Sequence, residues 1–292
     1  MSKTLLVLPL SLFGFLAGCG GGSSNGRLDI ALTDTPTDQA SSVVVEFTGV
    51  KFQPTGGNVI SYTFPAAQQI DLTQLQSGIT TPLLANFSLP AGHYDWLELE
   101  VSATPGAKDS YLILNSGGTH GLVLTATGQA GLRTSNGFDV VADDGSTLVV
   151  DFDARRSVLS PVGASTDYQL QPSIRMLDAR AGGNIIGSVP GGLAAAANCV
   201  PVVYVYAGNV SAPTDINASA PAATQPVTEE PVLLDTAFGA YRFTAAYLPA
   251  GTYTLAFTCD ASKDDPAKAD SIGFNPVGTV KATAGQTILA QL

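Results

Sequence analysis

Five groups of residues in this chain have types and spacings that could do chemistry. Cys19 closes the tetrad Leu16-Ala17-Gly18-Cys19 directly after an apolar run, and a thiol so placed can accept an acyl chain. Asp151 and Asp153 sit two apart on a stretch that reads as a strand, so both carboxylates share one face. With Asp34 or Asp38 they could coordinate Ca²⁺; otherwise they pair with Arg155, Arg156 or Arg175 and fix the sheet, which is the simpler role, because no loop of the EF-hand type is present. Trp96, Glu98 and Glu100 also share a strand face, an aromatic and acidic stripe that could meet a ligand. Cys199 and Cys259 are the remaining thiols, and a late loop gathers Asp260, Lys263, Asp264, Asp265 and Asp270, a charge run that reads as solvated.

The chain holds no His-Glu-x-x-His, no phosphate-binding glycine loop and no dinucleotide fingerprint. Glu98 and Glu100 side by side on one strand would not flank a glycosidic bond. The chain is therefore read as not an enzyme, with no cofactor other than the Ca²⁺ alternative above. With two histidines in unrelated contexts and no Cys-x-x-Cys, there is little material for zinc. A net charge of −11 with scattered acids lacks the clustered Lys/Arg footprint that nucleic acid requires, so nucleic acid is excluded as a partner.

The amino terminus places the molecule. Lys3 followed by the apolar stretch Leu5 to Phe15 has the anatomy of an export signal, and it is shorter than the ~20 residues of a membrane span. Leu16-Ala17-Gly18-Cys19 resembles the bacterial lipobox. That resemblance implies cleavage before Cys19, lipidation of its thiol and attachment to a membrane by more than one acyl chain, which a stable anchor needs. Gly20 stands where an Asp commonly retains such lipoproteins at the inner membrane, so the resemblance favours the outer membrane of a two-membrane host. Outside the cytoplasm a disulfide can form and persist, and a Cys199–Cys259 bridge is expected; the alternative is two buried free thiols.

These groups need elements to position them, and the pattern is that of an all-β chain: 31 Gly and 18 Pro punctuate short period-two runs. Residues 1–18 are the signal peptide, and 19–26 a lipidated Cys and a Gly/Ser tether expected to be disordered. Residues 27–180 make a first β-sandwich and 181–292 a second. Asp143-Asp144-Gly145-Ser146 predicts a hairpin turn, Tyr168 to Leu177 one strand, and Gly208 to Pro231 a long loop with little to bury. Tyr94 falls out of phase with Leu97, Leu99 and Val101. A β-bulge near Asp95 and Trp96 would turn Tyr94 and the leucines inward together. Leu89-Pro90-Ala91-Gly92-His93-Tyr94 recurs as Leu248-Pro249-Ala250-Gly251-Thr252-Tyr253, a turn into a strand used in both halves.

Leu32-Thr33-Asp34-Thr35-Pro36, Phe47-Thr48-Gly49-Val50, Leu89-Pro90-Ala91-Gly92, Asp151-Phe152-Asp153-Ala154-Arg155-Arg156-Ser157 and Gln171-Pro172-Ser173-Ile174-Arg175 together resemble the bacterial lipoprotein family called domain of unknown function 4382, over about residues 27 to 178. The second half, through Gly187-Ser188-Val189, Pro201 to Tyr206 and Gly239 to Phe243, resembles the carboxypeptidase-regulatory or prealbumin-like sandwich. The first resemblance implies a β-sandwich outside the cytoplasm with no established activity. Two sandwiches in series expose many loops, where recognition concentrates, so the expected partners are the membrane, through the N-terminal lipid, and an envelope protein or glycan. The expected role is a non-enzymatic binding or adhesion module, with a structural or assembly subunit, and then a hydrolase, as alternatives.

Overall fold

The computed structural model describes residues 24–292 apart from 36, 38, 126–130, 172 and 218–219, so the expected signal peptide, Cys19 and Asp38 lie outside the described residues. Among the described residues no helix is long and apolar enough to cross a membrane. The first strand, Asn25–Thr35, begins two residues before the period-two pattern places it, because Asn25 and Gly26 pair with Pro90 and Leu89. The end of the expected tether is therefore strand.

Two sheets form from the residues up to Asp178. One has the order Ile174–Asp178, Gly145–Asp153, Asn25–Thr35, Thr81–Pro90. The other is built on the long strand Ala40–Pro54, which pairs with Ile60–Asp71 along one edge and with Gly92–Ser102 and Tyr111–Leu114 along the other. Alternation sends Leu28, Ile30 and Leu32 of one sheet against Val43, Val45 and Phe47 of the other, in one apolar cluster. Opposite Ala40–Pro54 the register slips: Gln53 faces Trp96 but Pro54 faces Tyr94, leaving Asp95 extra. That is the expected bulge, and Tyr94, Leu97 and Leu99 are all buried.

Two local expectations fail for one reason, which is that the chain crosses between sheets. Asp143, at φ 57°, makes a turn, yet Phe138–Val140 and Gly145–Asp153 do not pair. Phe138 stacks on Tyr94 with ring centroids 5.0 Å apart, which holds its strand beside Gly92–Tyr94, while Gly145–Asp153 runs parallel to Asn25–Thr35. The stretch Tyr168 to Leu177 likewise divides into Tyr168–Leu170, on the large sheet, and Ile174–Asp178, on the small one.

Residues from Gly182 onward form two four-stranded sheets, Leu233–Asp235, Ala240–Pro249, Gly182–Val189, Thr287–Gln291 and Thr228–Pro231, Val202–Ala207, Gly251–Thr258, Val277–Ala282. Ile185, Val203, Val205, Phe243, Leu255 and Phe257 fill the space between them. Gly187 permits this packing, since a Cβ there would lie 2.0 Å from Phe243 Cζ. Gly251–Thr258 is buried on both faces: Ala256 lies under a smaller cluster with Tyr204, Tyr206 and Ile216. The segment after Gly208 therefore covers the sheet's outer face and ends in the paired strand Thr228–Pro231, rather than looping over it with little to bury. Cys199 and Cys259 are joined as a disulfide with Cα atoms 4.4 Å apart. In both repeated turns the tyrosine hydroxyl donates to the proline carbonyl four residues back, Tyr94 to Pro90 and Tyr253 to Pro249, each at 2.8 Å.

Candidate functional site at the junction of the halves

The parallel register Thr33↔Asp151, Asp34↔Phe152, Thr35↔Asp153 brings Asp34, Asp151 and Asp153 to the same end of two neighbouring strands. The strand then turns into one helical turn, Ala154–Ser157, whose N-cap is Asp153: its Oδ1 accepts the Arg156 N–H at 3.0 Å. Asp34 Oδ1 accepts the Ala154 N–H at 3.2 Å. This turn aims Arg155 and Arg156 at the second half. Arg156 Nη2 donates to Glu229 Oε1 at 2.5 Å and to the Pro226 carbonyl at 2.7 Å, while its Nε lies 2.9 Å from Asp153 Oδ2. Arg155 Nη1 donates to the Ala261 carbonyl at 2.9 Å. Arg175 Nη2 lies 2.5 Å from Asp151 Oδ2 and its Nη1 donates to the Tyr247 carbonyl at 2.7 Å. Thr35 and Thr228 hydroxyls meet at 2.8 Å, and Thr228 Oγ1 also donates to Glu230 Oε1 at 3.0 Å.

Asp34, Asp151, Asp153, Glu229 and Glu230 thus share a buried seam with Arg155, Arg156 and Arg175. Burial disfavours the carboxylate form. It raises Asp34 well above the ordinary range, with Asp151 and Asp153 adding repulsion, and raises Asp153. Burial pushes Glu229 up to about 8, against the pull of Arg156, and Glu230 up to about 8, with Asp151 adding repulsion. Raised carboxyls beside a cleft are the usual pattern of acid–base sites, and a cleft of about 390 Å³ does open here, lined by Thr35, Arg133, Asp151, Asp153 and Arg175. Two of its acids, however, are held at ion-pair distance by arginines. What the arrangement does chemically is bind the halves to each other.

The stripe at Trp96, Glu98 and Glu100 is likewise internally matched. Glu98, 1% exposed, receives Arg133 Nε and Nη2 on Oε2, at 3.0 and 2.6 Å, and Lys51 on Oε1 at 3.1 Å. Lys51 also reaches Glu100 at 2.7 Å, and the Arg133 guanidinium lies 3.8 Å from the centre of the Trp96 ring. The late acidic run is not uniformly solvated, because Asp264 is 5% exposed and its Oδ2 accepts from Tyr204 Oη at 2.6 Å. Glu229, Glu230 and Asp215 escape sequence reading altogether. The acids of Thr228-Glu229-Glu230-Pro231 follow an Ala- and Pro-rich stretch, with no local mark that they face a neighbour.

Fold and seam together define an all-β protein of stacked sheets whose buried ionisable groups hold one half to the other. The chain belongs to the family described as domain of unknown function (DUF4382), whose model matches residues 25–172, more than half of the chain. No curated protein matches it. Among solved structures, the TIE protein of Bacillus anthracis is 12% identical over 92% of this chain and 34% of that one, TM-score 0.22. The minor pilin GBS52 of Streptococcus agalactiae is 10% identical over 90% and 94%, TM-score 0.20. The fimbrial anchor protein Mfa2 of Porphyromonas gingivalis is 9% identical over 82% and 80%, TM-score 0.18. The chain spans about a third of the TIE protein's length.

Proposed function

We propose that this protein is a lipid-anchored component of the bacterial envelope, attached through Cys19, in which two β-sandwich domains, residues 27–180 and 181–292, act as one non-enzymatic binding or adhesion module for an envelope protein or glycan. One observation carries the reading: the acids lining the cleft, Asp151 and Asp153, are engaged with Arg175 and Arg156, which also reach the Tyr247 carbonyl and Glu229 of the second half. A rigid two-part body on a lipid tether presents its loops outward, and loops on a rigid scaffold are where recognition concentrates. The test is capture of envelope fractions and glycan panels by the purified protein, beside turnover assays on chromogenic esters and glycosides. Saturable capture without turnover is expected; turnover abolished by Asp153→Asn would overturn the reading.

The alternative of an assembly subunit has a specific observation in its favour. Leu233–Asp235 is an edge strand, and Leu233, Leu234 and Phe238 in and beside it are exposed. Unpaired apolar edges invite strand pairing. Concentration-dependent self-association, lost in Leu234→Lys, would favour this second reading.

A further inference from the structure

Asp151, Asp153 and Glu229 of the seam have arginines as counter-charges. A second group of acids, two of them buried, has no arginine at ion-pair distance among the described residues. Carboxylate oxygens of Asp215, Asp264 and Asp270 converge to within 4.8 Å of one another, brought together from the segment after Gly208 and from the loop after the turn Ala261–Lys263. Asp215 and Asp264 are 8% and 5% exposed, and neither makes an ion pair among the described residues. Their partners are neutral: Asp215 Oδ2 accepts the Asp270 N–H, and Asp264 Oδ2 accepts Tyr204 Oη at 2.6 Å and the Ile216 N–H at 3.1 Å. Asp270 Oδ2 accepts the Asp265 N–H at 2.8 Å. Asp264 Oδ1 is buried with no hydrogen-bond partner. Since Oδ2 already accepts two hydrogen bonds, Oδ1 is the Asp264 oxygen with capacity for a ligand.

Buried charges persist when paired or bound to a metal. Of the loop's own cations only Lys268 reaches the group, at its partly exposed member. Lys263 pairs with Asp260 at 2.6 Å, and Lys268 sits 3.4 Å from Asp265 and 3.7 Å from Asp270 Oδ1. Arg155 attracts Asp264 through space, but its Nη1 is directed at the Ala261 carbonyl. We propose that Asp215, Asp264 and Asp270 form a Ca²⁺ site that ties the segment after Gly208 to the loop after Ala261. An all-oxygen, carboxylate-rich set on irregular loops suits the large and flexible coordination of Ca²⁺ better than the strict octahedron of Mg²⁺. Backbone carbonyls and water complete its shell. Because Ala261 receives Arg155 from the first half, the ion also steadies the seam.

The test uses the full-length purified protein stripped of metal. Calorimetric titration with CaCl₂ is expected to give one ion per chain with Kd on the order of 10⁻⁴ M, the range of extracellular modules. Tb³⁺ at the same site should luminesce on tyrosine excitation, through Tyr204, and be displaced by Ca²⁺. Saturating Ca²⁺ should raise the melting temperature by a few degrees, since it binds only the native state. Asp264→Asn and Asp215→Asn should abolish the Tb³⁺ signal and the shift, while Asp139→Asn, at an exposed acid remote in sequence, keeps both. Should either buried variant fail to fold, Asp270→Asn, at a partly exposed ligand, gives the same reading. Absence of Ca²⁺ binding overturns the proposal, as does binding that survives in folded Asp215, Asp264 or Asp270 variants.

Discussion

Glu230→Gln isolates the electrostatics of the seam. Glu230 is 6% exposed, its Oε1 accepts from Thr228, and its carboxyl titrates at about 8 in the folded protein against 4.5 for an unperturbed glutamate. Between those values the native state holds a proton that the unfolded chain has released, so this group makes stability fall as pH rises from 4.5 and leaves it flat above about 8. The contribution is fully present below pH 4.5 and lost above the folded value. A difference of about 3.5 units at 1.36 kcal/mol each sets a ceiling near 5 kcal/mol, and relaxation of the seam reduces this to roughly 2 to 3 kcal/mol. Glutamine keeps the volume and an acceptor for the Thr228 hydroxyl but has no proton to lose. Urea denaturation of both proteins at pH 5, 6, 7, 8 and 9 is the assay. Groups remote from Glu230 titrate equally in both, so the difference between the two curves reports Glu230 together with its coupling to Glu229 and Asp34. The variant should be within about 1 kcal/mol of the parent at pH 5 and more stable by roughly 2 kcal/mol or more at pH 9. Parallel stability curves across the whole range would refute the assignment of a buried, protonated carboxyl.

Cys19→Ser should release the protein from washed membranes and abolish palmitate labelling; retention in the membrane would sink the lipid anchor. Gly187→Ala, which drives a methyl into Phe243, should cost about 2–3 kcal/mol by denaturation, with an unchanged midpoint as the contrary result. Cys199→Ser with Cys259→Ser opens a cross-link spanning 60 residues and should lower stability by at most ~4 kcal/mol, and non-reduced peptide mapping checks the bridge directly. Tyr94→Phe and Tyr253→Phe each delete one hydroxyl-to-carbonyl bond in equivalent turns, so each should cost about 1 kcal/mol, the two values agreeing closely.

The strands were legible because alternation is a local property. Leu28, Ile30 and Leu32 against Asp29 and Ala31 state which face is buried, and the parity break at Tyr94 located a bulge without any knowledge of the partner strand. What alternation does not state is which sheet a strand joins. Asp143 to Ser146 looks the same whether the flanking strands pair or part. Only Phe138 stacked on Tyr94, from residues more than forty positions apart in sequence, determines that they part.

The seam was legible by half for a related reason. Asp151, Asp153, Arg155, Arg156 and Arg175 lie close in sequence, so opposite charges on adjoining elements already pointed to pairing. Their second partners, Glu229, the Tyr247 carbonyl and the Ala261 carbonyl, come from the other half, where two are backbone atoms that no residue type announces. The same separation hid the aspartate trio. Asp264 and Asp270 read as members of a solvated run, and Asp215 as one acid in a loop, until Tyr204 and Ile216 close over them. A charge run looks alike in sequence whether water or protein surrounds it, but the two cases oppose each other energetically: solvated acids need no partner, and buried ones must find a proton, an arginine or a metal. Arginines lie at ion-pair distance from Asp151, Asp153 and Glu229 of the seam, whereas neither Asp215 nor Asp264 has an ion pair among the described residues. That asymmetry is why the ion is placed at Asp215, Asp264 and Asp270 rather than at Asp34, Asp151 and Asp153.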